Sequence, residues 1–210
     1  MKSFEQFVSE SAQQGHINLL FENGMYSSAE DLERILQLFA EAGVPFELIG
    51  GLAVNAHLMA ASKRSRSFLT RDIDVLVRRS DLDAIVGAAK LLGFEPKRML
   101  GVFALIGPGQ ELSESVHMLF VGEKPKSTCP IQNPDLNPED KDLFGLTVPV
   151  APVRDLLILK LNSLRPKDVV HLEVLDQVGF ITLEVEQSLP GVLRARLELA
   201  RKQFETETGE

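Results

Sequence analysis

From Glu30 to Ala42 the apolar residues Leu32, Ile35, Leu36, Leu38 and Phe39 recur at helical spacing, and Gly43 supplies a stop, so the pattern predicts an amphipathic helix. Pro45 then opens a short apolar run, Phe46 to Ile49, that reads as a buried strand. Gly50-Gly51 follows at once, and the Ala- and Leu-rich stretch from Leu52 to Ala61 predicts a second helix. After a polar, basic segment, Asp72 to Val77 alternates and predicts a second strand. Ser80 is placed to N-cap a helix over Asp81 to Leu92, which Gly93 ends. Gly101 to Ile106 and Val116 to Val121 predict two further strands, separated by the turn residues Gly107-Pro-Gly109 and a polar stretch.

Residues 122–142 are rich in Pro, Asn, Asp and Lys and predict the longest loop, of a kind that often covers sites. Leu146 to Val150 predicts a short strand and Val153 to Leu164 a helix, with Pro166 suited to the first turn of another. A last amphipathic helix is expected over Pro190 to Phe204, and the acidic end Glu205 to Glu210, without an apolar anchor, is expected to fray. This order predicts an α/β (α+β) fold, a mixed sheet flanked by helices rather than a regular βαβ array. Residues 1–150 would hold the sheet and residues 151–210 a C-terminal helical cap packed on it, one structural domain overall.

Composition narrows the function. Hydrophobic residues make up 44% and charged residues 25% of the chain, enough apolar surface for a core and a normal soluble fraction. A net charge of −8 argues against a protein that coats nucleic acid, since phosphate binding needs clustered Lys and Arg. Lys63-Arg64-Ser65-Arg66, with Arg71 nearby, is the local exception and would suit either a nucleic-acid contact or a solvated loop. Cys129 is the only cysteine, which leaves no disulfide framework and no Cys-based zinc site. No apolar run reaches the roughly 18 residues of a membrane span, and the N-terminus lacks a secretory apolar segment. The expectation is a cytoplasmic protein without a membrane partner. The absence of Trp leaves no obvious base-stacking platform. His16, His57 and Tyr26 have weak functional claims, and packing is the expected role of His57.

The candidate chemistry centres on Asp72 and Asp74. Two carboxylates two residues apart in a strand share a face, roughly 6–7 Å from each other, and repel unless a cation lies between them. Hard oxygen ligands of this kind suit Mg²⁺ completed by substrate phosphates, although a solvated strand start carries the same spacing. Gly50-Gly51 adds weight. Glycines between a strand and a helix let backbone N–H groups approach a phosphate, and the helix dipole favours the anion. A glycine pair alone often makes only a tight turn; here it would bring a phosphate cradle beside the acidic strand.

Leu48-Ile-Gly-Gly-Leu-Ala-Val-Asn55, followed by Leu69-Thr-Arg-Asp-Ile-Asp-Val75, resembles the minimal nucleotidyltransferases of the DNA polymerase β-like superfamily, and within it the toxin-type branch known as AbiEii-like. Ala151-Pro-Val-Arg-Asp-Leu-Leu-Ile-Leu-Lys-Leu-Asn162 and Arg165-Pro-Lys-Asp168 are similar to that branch's C-terminal helix pair, so the resemblance covers about residues 45–177. It implies transfer of a nucleoside monophosphate from an NTP to the hydroxyl of a tRNA, a protein or a small molecule, with Mg²⁺ or Mn²⁺. Asp72 and Asp74 would hold the metal, Gly50, Gly51 and Lys160 would contact nucleotide phosphates, and Thr70 would orient the loop or touch a phosphate. Arg165 and Asp168 would support the site or the helix pair.

The family pattern breaks at Ser115-Val-His-Met-Leu-Phe120, where His117 stands in place of a third acidic residue, and His171 stands where the helix pair often has a second Asp. His117 could act as general base or ligate a softer metal such as Mn²⁺ or Zn²⁺. It could also mark a catalytically impaired nucleotide-binding protein or one half of a toxin–antitoxin-like pair. Glu114 is a substitute acid, although strand alternation places it on the opposite face from His117.

Overall fold

The computed structural model of the protein describes residues 19–61, 70, 72–99, 102–110 and 115–208. The expectations placed on His16, the Lys63-Arg64-Ser65-Arg66 cluster, Arg71 and Glu114 lie outside these residues, as does the side chain of Tyr26. The first helix, α1, spans Leu19–Ala42 and buries Leu32, Ile35, Leu38 and Phe39, the stripe predicted from their spacing. Strand β1 (Glu47–Ile49) runs directly into α2 (Gly50–Ala60), and β2 is Ile73–Val77. A 3₁₀ turn over Arg79–Asp81 leads to α3 (Leu82–Leu91), which is followed by β3 (Glu95–Met99), β4 (Val102–Ile106) and β5 (Val116–Phe120). A hairpin of β6 (Glu139–Leu143) and β7 (Leu146–Val150) precedes the helices α4 (Val153–Ser163), α5 (Pro166–Gln177), α6 (Leu183–Ser188) and α7 (Gly191–Thr208).

The described strands form one seven-stranded sheet in the order β3-β4-β5-β2-β1-β7-β6. It is mixed: β2 pairs with β5 and β1 with β7 in parallel, and the other neighbours are antiparallel. The expected α/β architecture of a mixed sheet flanked by helices is therefore present. Helix α2 packs on β1, β2 and β6 and is itself covered by α4 and α5. Residues Gly51 to Leu58 are consequently all buried, which explains why α2 is apolar around its whole circumference. Helix α7 packs on α4 and α5. Arg201 ties the three C-terminal helices together by pairing with Asp176 of α5 at 2.7 Å and Glu186 of α6 at 2.8 Å.

Several boundaries differ from the sequence reading. Both sheet edges were missed: β3 was not predicted, and β6 occupies the end of the predicted 122–142 loop. Their sequences, Glu95-Pro-Lys-Arg-Met99 and Glu139-Asp-Lys-Asp-Leu143, show no apolar alternation because an edge strand is protected by charge and proline rather than buried. Ser80 does not cap α3; its hydroxyl donates to Asp81 Oδ1 at 2.9 Å from inside the 3₁₀ turn. Helix α6 was also missed, and α7 ends at Thr208 rather than at the predicted Phe204.

The loop before β6 is pinned rather than draped over the acidic pair. Asn162 exchanges two hydrogen bonds with the backbone of Ile131, at 2.8 and 3.2 Å, and Asn133 Nδ2 donates to the Phe120 carbonyl at 2.9 Å. The Asn137 N–H donates to Glu47 Oε2 at 3.0 Å. The anchors on β1 and β5 lie at the strand ends remote from Asp74, because Glu47 pairs with Leu76 and Phe120 with Val77.

Glu47 is wholly buried, and its Oε1 makes no hydrogen bond. Burial is the main cause that pushes its pKa up to about 7; Asp155 and Asp135 add to the rise, and the Asn137 N–H opposes it. A folded-state pKa above the unfolded value contributes stability that is full below about pH 4.5 and lost as pH rises through about 7. Glu47→Gln is therefore expected to flatten the pH dependence of unfolding across that window and to make the protein more stable than wild type at pH 8. The ceiling is roughly 3 kcal/mol, at 1.36 kcal/mol per pKa unit, and urea melts at pH 5 and pH 8 measure it.

Candidate metal centre

Parallel pairing places Asp74 of β2 beside His117 of β5, and antiparallel pairing places Ile49 of β1 on the other side of Asp74. Asp72 lies just before β2, and residues two apart along an extended segment share a face. Three chain segments thus converge: the end of β1, the start of β2 and the start of β5. His117 Nδ1 is 3.5 Å from Asp74 Oδ1 and 3.8 Å from Asp72 Oδ2. One ligand atom from each of the three side chains lies within 4.8 Å of the other two, and among the described residues they are the one such group of three. Each is about a quarter exposed, so the centre is reachable from solvent.

Gly50 forms a wall of this centre. Its φ is +72°, and a Cβ there would overlap the Asp74 carboxylate. Only glycine satisfies both demands, so the backbone that opens α2 lies directly against Asp74. Ile49, the cap residue, offers no side-chain acceptor to the first N–H groups of α2, and no acid stands in the first turn. Those N–H groups and the helix dipole make that end receptive to an anion. Gly51 is one step removed, with its notional Cβ 3.3 Å from Thr70 Cβ. Thr70 in turn donates its hydroxyl to Asp72 Oδ1 at 2.7 Å.

The groups around the centre keep the Asp72 carboxylate ionised. Burial alone would raise the Asp72 pKa, but the Thr70 hydroxyl, Lys167 and His117 outweigh it and hold the value below the ordinary one. Lys167, from the start of α5, brings Nζ to 3.5 Å from Asp72 Oδ2. Asp74 accepting from its ring raises the His117 pKa, and the charges of both carboxylates add to this, against burial and Lys167. The other ring nitrogen, Nε2, meets Ser115 Oγ at 3.1 Å.

No family model matches the chain, and no curated protein matches it. Among solved structures the chain is similar to the antibiotic-resistance factor ANT(2″)-Ia in two determinations. Its solution structure has a TM-score of 0.42 at 16% identity, over 84% of this chain and 83% of that chain. Its crystal structure in complex with adenylyl-2″-tobramycin has a TM-score of 0.44 at 16% identity, over 86% of this chain and 91% of that chain.

Behind the centre lies a buried basic layer. Lys160 of α4 is only 4% exposed, whereas a lysine on an amphipathic helix usually lies in water. Burial lowers its pKa to about 8, while Asp168 and Asp74 favour its charge. Its Nζ donates to Nδ1 of His171 at 2.8 Å. Burial first, and then Lys160, hold the His171 pKa down to about 3, so the ring is neutral and Nδ1 accepts from Lys160. Asp168 accepts from the Ser163 hydroxyl at 2.6 Å and from the Arg165 backbone and Nε at 3.0 and 2.9 Å, which clamps the α4–α5 junction. His57 packs as expected, donating Nε2–H to the Ala151 carbonyl at 2.9 Å.

Of the residues selected from the sequence, Gly50, Thr70, Asp72, Asp74 and His117 are assembled in one place. Gly51 touches them through Thr70, and Lys160 sits behind them on His171. Two neighbours of the centre were not selected. Ser115 could have been found from its i, i−2 relation to His117, and Lys167 from its place within Arg165-Pro-Lys-Asp168.

Proposed function

We propose that the chain is a divalent-metal-dependent nucleotidyltransferase that moves a nucleoside monophosphate from an NTP to an acceptor hydroxyl, as the sequence resemblance implies. The acceptor oxygen would bond to the α-phosphorus as the bond from that phosphorus to the β-bridging oxygen breaks. Pyrophosphate would leave with the electron pair, and the hydroxyl proton would pass to solvent. The observation that carries this reading is Gly50 at φ +72°, which sets the uncapped start of α2 against Asp74 and beside Asp72 and His117.

The donor set fits a divalent cation, with two carboxylates and one imidazole within reach of a common point. Asp72, Asp74 and His117 would hold it. Bound there, the cation would neutralise charge developing on the transferred phosphoryl group. The N–H groups opening α2 would receive phosphate oxygens, with Lys167 and Lys160 supplying positive charge at the mouth and behind. With Nδ1 facing the carboxylates and Nε2 on Ser115, both ring nitrogens of His117 are engaged within the centre itself, which favours a ligand over a general base. Imidazole is a better donor to Mn²⁺ than to Mg²⁺, so Mn²⁺ is the expected cofactor.

Titration calorimetry with each NTP in Mn²⁺ or Mg²⁺, followed by an assay of pyrophosphate release, tests the reading. NTP binding that requires the metal is expected, with Mn²⁺ the more effective ion; no nucleotide binding at any metal concentration would sink it. His117 in place of an acid is the observation favouring a second reading, a nucleotide-binding protein with impaired catalysis. Under the first reading His117→Asp lowers turnover in Mn²⁺. An increase in turnover would favour the second.

A further inference from the structure

Ser115 carries no role in the reaction outlined above, yet its hydroxyl contacts the face of the His117 ring edge opposite the carboxylates. Resting on the metal-centre reading, we infer that Ser115 is a positioning residue that commits Nδ1 of His117 to the metal and thereby sets the preference for Mn²⁺ over Mg²⁺.

The placement is built into the entry to β5, which Ser115 immediately precedes. Ser115 and His117 are two residues apart and so share a face of the extended chain, and their side chains meet at 3.1 Å between Oγ and Nε2. Ser115 is itself fully buried, and its backbone carbonyl accepts from the Ile73 N–H at 3.3 Å, which ties it to the strand bearing Asp74. The backbone that carries the hydroxyl is therefore held against β2, and the ring that the hydroxyl meets is turned with Nδ1 towards Asp72 and Asp74 at 3.8 and 3.5 Å.

A hydroxyl suits this position because it both donates and accepts. When Nδ1 carries a proton towards the carboxylates, Nε2 has a lone pair and Ser115 donates to it. When Nδ1 gives its lone pair to a cation, Nε2 carries the proton and Ser115 accepts it. Histidine ligands are generally oriented in this way by whatever receives the second ring N–H, and loss of that group costs roughly 10–100-fold in metal affinity. The effect should be selective. Mg²⁺ gains little from imidazole, so a ring left to rotate weakens Mn²⁺ binding more than Mg²⁺ binding.

The experiment is a double-mutant cycle on Mn²⁺ and Mg²⁺ affinity, measured by calorimetry on wild type, Ser115→Ala, His117→Ala and the double variant, with thermal melts confirming that each is folded. Ser115→Ala is expected to lose roughly 10–100-fold in Mn²⁺ affinity, with a smaller loss for Mg²⁺. In the His117→Ala background the same change should have no further effect, because Ser115 acts through the ring. Unchanged Mn²⁺ affinity in Ser115→Ala beside a loss in His117→Ala would overturn this inference alone. Equal losses for the two ions, or a further loss in the double variant, would overturn it as well by pointing to a merely structural hydroxyl. Failure of the wild type to bind Mn²⁺ would overturn the metal reading and this inference with it.

Discussion

Asp74→Asn is expected to reduce nucleotidyl transfer by about 10³-fold, while leaving the protein folded. Asp74 joins the two halves of the proposed machinery, the start of α2 and the His117 ligand. It stands between Ile49 and His117 in the sheet, its carboxylate lies against the Gly50 backbone, and its charge is felt by His117 and Lys160. Asparagine keeps the volume and one oxygen but removes the negative charge that would hold a cation. Metal stabilisation of a transferring phosphoryl group is worth several kcal/mol, and each 1.36 kcal/mol is a factor of about ten in rate. Pyrophosphate release in Mn²⁺ measures the loss, and a thermal melt close to wild type separates it from unfolding. Wild-type turnover in Asp74→Asn would remove the metal assignment.

Gly50→Ala should damage both stability and the site. At φ +72° an alanine costs roughly 1–2 kcal/mol from the backbone alone. Its methyl group would also occupy the volume of the Asp74 carboxylate, so that side chain must move. A displacement of about 1 Å at a reacting centre costs on the order of 10²-fold in rate. The expected result is a melting temperature lower by several degrees, since about 1 kcal/mol corresponds to about 2–4 °C in a protein of this size, together with a large fall in NTP binding. Gly51→Ala is the contrasting variant. There the methyl group would sit 3.3 Å from Thr70 Cβ without a backbone penalty, and the gain in helix propensity offsets the tight contact. If Gly50→Ala melts and binds NTP like wild type, the close approach of α2 to Asp74 has no part in the site.

The two halves of the site were unequally legible in advance. Asp72 and Asp74 announce themselves because a two-residue period is a local property, and so does the glycine pair at a strand-to-helix junction. The partner of Asp74 does not. His117 lies far along the chain, and its position beside Asp74 rests on the parallel register of β2 with β5, which the resemblance supplied and residue spacing did not. Lys160 shows the limit from the other side. Its spacing on α4 is compatible with water or with burial, and only the packing of α4 on α2 and α5 decides for burial, with Nδ1 of His171 there to accept its hydrogen bond.

The outer strands make the same point for the fold. Glu95 to Met99 and Glu139 to Leu143 carry no periodic apolar signal, because each gains its hydrogen bonds from a neighbour while facing solvent on its free edge.

What the amino-acid sequence determined by itself was the set of elements with a buried face, the mixed α/β class, and the acidic pair behind Gly50-Gly51. These follow from hydrophobic periodicity and from backbone chemistry at single positions, and both act over a few residues. Tertiary structure alone decided that Gly50 is pressed against Asp74, that His117 stands beside Asp74, that Lys167 reaches Asp72, and that the long loop is anchored away from the site. Each of these is a meeting of groups distant along the chain, set by strand register and helix packing rather than by any local preference.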